Sequence, residues 1–201
     1  MDEIRTLFAS GLQRMRGAHE QGAAQAQANL ETATAPELRG LLRAGVKANR
    51  MQGRRLEQVF SSAGLLPTAR SDQAMQGIVD ANRLRIGETA DPLSRDLLNI
   101  AMEQAAAHLT LASCGTLRAY ALALGNAEAA SLLARTLDET GKADRAFSAL
   151  ARTLIRRAQP DAFPRSGPGL VASLVRPAAM AVIGGGLLAL VTGVIDGAGR
   201  R

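Results

Sequence analysis

Few residues in this chain are of types that could do chemistry. His19 and His108 are the only histidines. Imidazole nitrogens with a carboxylate oxygen can hold zinc or iron. His19, His108 and Asp144, with Glu20 close to the first, are therefore the one candidate site for a single Zn or Fe ion. The plainer expectation is that no metal binds and each imidazole is a buried core group, satisfied by Gln52, Gln104 or Thr140. Ser113 and Cys114 lie near His108 without a spacing that makes a nucleophile–base pair, so no residue is assigned a catalytic role. Cys114 is the only cysteine; it excludes an internal disulfide, fits a reducing compartment, and reads as a small packing residue. Gly184, Gly185 and Gly186 lack both the lysine and the strand–helix context of a phosphate loop.

The elements that must position these groups are helices. The chain has 201 residues, 47% hydrophobic but only 2% aromatic, and alanine and leucine supply most of its apolar surface. That favours closely packed helices, and strand-like alternation is absent. The fold class is all-α. Ile4, Phe8, Leu12, Met15, Ala23, Ala26 and Leu30 predict a first long helix over 2–31. Thr34 and Glu37 form a capping-box pattern, with Pro36 in the first turn of a second helix. Its face is Leu38, Leu41, Leu42, Leu56, Val59 and Phe60, and Gly64 ends it. Ser71 and Asp72 can cap a shorter helix, and Asp91-Pro92 opens a third long one. The stripe expected there is Leu97, Ala101, His108, Leu111, Gly115 and Leu122, stopping at Gly125. Asn126 caps a fourth with Leu133, Leu137, Thr140, Asp144, Phe147, Leu150 and Leu154 on one side. Two helix pairs joined by a longer connection with its own short helix spell a four-helix bundle over 1–158.

Beyond the bundle, residues 159–176 read as a Pro/Gly-rich linker. Residues 177–195 then carry no charge; as a helix they would span ~28 Å, close to the hydrocarbon thickness of a bilayer. Ala181, Gly185, Ala189, Gly193 and Gly197 recur every four residues and would form a smooth ridge for helix–helix packing. The run is a candidate membrane anchor, the alternatives being an assembly helix or a segment packed on the bundle. Arg156, Arg157, Arg165 and Arg176 precede it and Arg200 and Arg201 follow, which keeps the bundle cytoplasmic on the inner membrane. The net charge of +6 could draw nucleic acid, but the arginines are scattered and no aromatic platform is interleaved with them, so nucleic acid is not expected as a partner.

Five stretches are familiar in order and spacing: Glu37-Leu-Arg39, Arg55 to Phe60, Ala74 to Val79, Gly115 to Arg118, and Thr136-Leu with Lys142-Ala-Asp144. Together they resemble the YciE/YciF-type ferritin-like proteins, bacterial stress-associated four-helix bundles, over roughly residues 3 to 158. The resemblance implies a dinuclear metal site in which carboxylates project inward from each long helix, completed by His or Gln. The positions of this chain that match are His19, Ala48, Gln52, Ala107, Thr140 and Asp144, with Gly45 where the family has His and Thr110 where it has Glu. The four central carboxylates are absent. The expectation is thus a structural or interaction protein with a degenerate metal site and no cofactor, forming a homodimer or larger homo-oligomer. Two alternatives remain: the remodelled His/Asp metal site, and association with DNA or a protein shell.

Overall fold

The structure, a computed structural model, describes residues 1–160. Five helices follow one another: α1 Asp2–Thr32, α2 Pro36–Ser62, α3 Gln73–Gly87, α4 Pro92–Ala123 and α5 Ala127–Ala158. The linker beyond Pro160 and the ridge Ala181, Gly185, Ala189, Gly193, Gly197 lie outside the described residues. Among the described residues no helix is long and apolar enough to cross a membrane.

Two apolar clusters define the topology. One joins Phe8 and Leu12 of α1, Val59 and Phe60 of α2, Leu117 of α4 and Leu133 of α5. The other joins Ala33, which follows α1, Leu38 and Leu42 of α2, Ile100 of α4 and Phe147 and Leu154 of α5. Each cluster thus gathers the start of α1 and α5 with the end of α2 and α4, or the reverse. The long helices pack in the ring α1–α2–α5–α4, each antiparallel to its neighbours. α2 ends at the opposite end from where α4 begins, so the connection must run the bundle's length. That crossover holds α3, whose Met75 and Val79 pack on Ala18, Ala106 and Leu109.

The helix ends follow their local chemistry. Asp72, Asp91 and Asn126 accept from the backbone N–H groups of Met75, Ser94 and Ala129 at 2.9, 2.7 and 2.9 Å. Each satisfies an orphan donor of a first turn. Gly64 and Gly125 end α2 and α4 at φ of 66° and 73°, a conformation that favours glycine. The α2 start differs from its capping-box expectation. Thr34 does not cap; its Oγ donates to Asp96 of α4 at 2.6 Å, and its own N–H and that of Ala35 donate to the same carboxylate at 2.8 and 2.7 Å. A buried carboxylate from across the bundle outcompetes the local cap because it fills three donors at once.

The crossover approaches α1 very closely at Gly17. A Cβ there would lie 1.8 Å from the Arg70 carbonyl oxygen, and Arg70 N–H donates to the Gln13 carbonyl at 2.9 Å. Only glycine fits that contact.

Candidate functional site at the bundle waist

Between the two apolar clusters the interior turns polar, at the level where the resemblance places a metal centre. α2 contributes Asn49, Gln52 and Arg55, α5 contributes Thr136, Glu139, Thr140 and Asp144, α1 contributes His19 and α4 contributes Gln104. Arg55 is buried and makes a two-pronged contact with Glu139, at 2.9 and 2.8 Å, while also donating to Thr136 Oγ at 2.9 Å. Charge balance here is internal: the guanidinium takes the Glu139 carboxylate of the neighbouring helix.

The expected inward positions are only partly occupied as the spacing implied. Gln52 and Thr140 are buried, and Ala48, Ala107 and Gly45 are half-buried. A Cβ at Gly45 would meet no atom within 4 Å. Thr110 turns its hydroxyl back onto the Ala106 carbonyl at 3.0 Å. Thr140 Oγ is enclosed without a partner. His19 has an enclosed Nε2 that also lacks a partner, and its hydrogen-bonding neighbour is Asn49. Desolvation lowers the His19 pKa below its ordinary value, with Asn49 opposing, which favours the neutral imidazole.

His108 corrects two expectations. It is neither buried nor beside His19: its side chain is 68% exposed, and its Nε2 lies 3.4 Å from Asp144. Asp144 also accepts from Gln104 at 3.1 Å, and Gln104 donates to Ser148 at 2.7 Å. The structure therefore unites two of the three candidate ligands, His108 and Asp144, and leaves His19 elsewhere. Among the described residues no group of three or more His, Cys, Asp or Glu side chains is placed to hold a metal ion.

The cause is the rotation of α4. Ala101, His108, Gly115 and Leu122, expected on its inner face, are exposed, whereas Asp96, Asn99, Ile100, Met102, Cys114, Leu117 and Ala121 are buried. Cys114 behaves as the packing residue expected of it. Burial pushes its thiol up to about 12, only partly opposed by the charge of Arg55, which leaves it unreactive.

Periodicity missed a second polar group between α1, α3 and α4. Asn29 Nδ2 donates to Glu103 Oε1 at 3.0 Å, and Gln25 donates to Asn29 Oδ1 at 2.8 Å. Asn82 of α3 reaches the same oxygen at 3.4 Å, and Arg83 donates to Gln25 at 3.1 Å. Desolvation drives the Glu103 carboxyl up to about 7, with the Asn29 donation opposing. The available signal was Gln25 and Asn29, polar and four apart, on a flank of the apolar stripe of α1.

With this geometry in hand, comparison with known proteins decides the family. Residues 3–159 match the profile of DUF892, a domain of unknown function. The chain belongs to the DUF892 family. Two solved structures are similar in sequence and fold to this DUF892 bundle. YciF, a stress protein of E. coli, is 26% identical with a TM-score of 0.73, covering 78% of this chain and 99% of its own. YcfI of Rhodopseudomonas palustris, provisionally described as a structural protein, is 28% identical with a TM-score of 0.70, covering 72% and 92% respectively. No curated protein matches the sequence.

Proposed function

We propose that this chain is a non-enzymatic structural or interaction protein of a stress-associated kind. In this reading its bundle has lost the dinuclear metal site, pairs with itself and is carried on a C-terminal membrane anchor. The observation that carries the first part is the makeup of the waist. Two divalent cations need several anionic ligands to offset their charge in a buried place. Ala48, Ala107 and Thr140 offer none, and His19, Asn49 and Gln52 bring no carboxylate. Of the two carboxylates at the waist, Glu139 is taken by Arg55 and Asp144 lies beside His108 and Gln104. The residues present therefore do not fit a dinuclear centre. The descriptions of YcfI and YciF as structural and stress proteins agree with this reading, and neither names a reaction.

Thermal unfolding with added Fe(II), Mn(II) or Zn(II) tests it, because any ion bound only by the native state raises the midpoint. The midpoint should stay fixed for this chain. It should rise with metal once Gly45→His, Ala48→Glu, Ala107→Glu and Thr110→Glu are combined, since the Gly45 site has room for a side chain. A rise with the unaltered chain would overturn the reading. The alternative of one Zn or Fe ion rests on the His108–Asp144 contact; it requires that His108→Ala abolish any metal response.

Pairing with a second copy is supported by the outer face of α4. Ala101, Ala105, Ala112, Gly115, Ala119 and Leu122 are exposed there, and no charged residue lies between Glu103 and Arg118. Ala112→Glu should convert a dimer to a monomer in light scattering. The anchor is supported by the uncharged run 177–195. Membrane fractionation of the full chain against one ending at Arg165 tests it; equal solubility would remove the anchor.

A further inference from the structure

The arginines look scattered along the sequence, but on α2 they form a line. From Leu38 to Leu56 the helix has no Asp or Glu. Its eight charged residues divide into two sets. Glu37 pairs with Arg157 at 2.7 Å, Arg55 with Glu139 at 2.8 Å and Glu57 with Arg16 at 3.8 Å, and Arg39 donates to the Ala33 carbonyl at 3.1 Å. Arg43, Lys47, Arg50 and Arg54 are all exposed and have no ion-pair partner among the described residues. Steps of four, three and four residues set these cations within roughly 60° of one helical face, along about 16 Å.

Several bases on the other helices do have an acid one turn away, as in Arg16–Glu20, Arg135–Glu139 and Lys142–Asp138. The α2 row leaves four like charges stacked at successive turns, which works against the helix. Arg145 and Arg152 of α5, also exposed, lie level with it, since the Glu37–Arg157 and Arg55–Glu139 contacts set the register. They extend the positive surface around the corner of the bundle.

We propose that the α2 row is a docking surface for an anionic phospholipid membrane. The proposal deepens the membrane part of the reading above but draws its own evidence from the bundle. A straight row on a rigid helix meets a plane of headgroups with every cation at once, whereas it meets only a few phosphates of a curved duplex. No aromatic side chain is present on α2 before Phe60, which is buried, so nothing in the row can stack on bases. Met51 is the only large apolar side chain exposed on α2, so attraction is almost wholly Coulombic and salt must weaken it. Each basic residue near such a surface contributes about fivefold in partitioning, so four give on the order of several hundred-fold.

The test is co-sedimentation of the full chain with phosphatidylcholine vesicles, with and without phosphatidylserine, at low and high salt. One variant combines Arg43→Gln, Lys47→Gln, Arg50→Gln and Arg54→Gln. A control combines Arg5→Gln, Arg14→Gln, Arg85→Gln and Arg118→Gln, removing the same charge from other exposed positions. Circular dichroism confirms that both are helical. The unaltered chain and the control should prefer phosphatidylserine vesicles by on the order of several hundred-fold at low salt, and the row variant should lose that preference. No preference, equal loss in both variants, or row-dependent retention on duplex DNA without vesicle binding would each overturn the proposal. A chain that ignores pure phosphatidylcholine yet shows the row-dependent preference refutes the inserted tail and leaves the docking surface standing.

Discussion

Replacing Glu103 by Gln should stabilise the protein in a strongly pH-dependent way. The carboxyl is raised from 4.5 to about 7 by desolvation, so the native state binds more protons than the unfolded chain between those values. The stability that Glu103 contributes must therefore fall as pH rises from about 4.5 through about 7, and level off above. A shift of this size corresponds to about 3 kcal/mol at most. Gln keeps the oxygen that accepts from Asn29 at 3.0 Å and cannot ionise. The variant should accordingly be near-neutral at pH 5 and more stable by up to about 3 kcal/mol at pH 8. His19 acts in the opposite direction: its pKa is lowered from 6.5, so the stability it contributes is lost as pH falls below about 6.5. That contribution is common to both proteins and cancels in the difference. Urea unfolding followed by far-ultraviolet circular dichroism at the two pH values measures it. A difference between the proteins that does not change with pH would refute the desolvated, proton-binding carboxyl.

Gly17→Ala should cost at least about 2 kcal/mol in the same assay, because the obstructing atom is a backbone oxygen that cannot swing away. Gly45→Ala, with open space at its Cβ, should instead add about 1 kcal/mol from helix propensity. Glu139→Ala should cost about 3 kcal/mol, since it strands the buried Arg55 with only Thr136; a change below about 1 kcal/mol would mean the pair is no more than a surface contact. Cys114 should resist thiol reagents at pH 8 in native protein and react at once in urea.

The sequence made α2 and α5 legible because each keeps polar and apolar residues on opposite sides. Leu38, Leu42, Leu56, Val59, Phe60, Leu133, Phe147, Leu150 and Leu154 are all buried. The caps at Asp72, Asp91 and Asn126 and the stops at Gly64 and Gly125 were readable because their chemistry is local. α4 was not readable in phase. From Gln104 to Leu117 it has no charged residue, so two rotations fit its apolar pattern almost equally well. The choice between them is made by contacts with other helices, among them Asp96 filling three donors at the α1–α2 turn. That rotation turned His108 outward and separated it from His19. The Glu103–Asn29 group escaped notice for the same reason, since its partners come from different elements and no spacing within one helix reveals them.

The claim on which the account depends is that the waist of this bundle cannot balance the charge of two metal ions. Elemental analysis of protein produced with excess iron and manganese, and purified without chelator, tests it most directly. Metal well below one ion per chain is the predicted result; two ions per chain, retained through gel filtration, would contradict it.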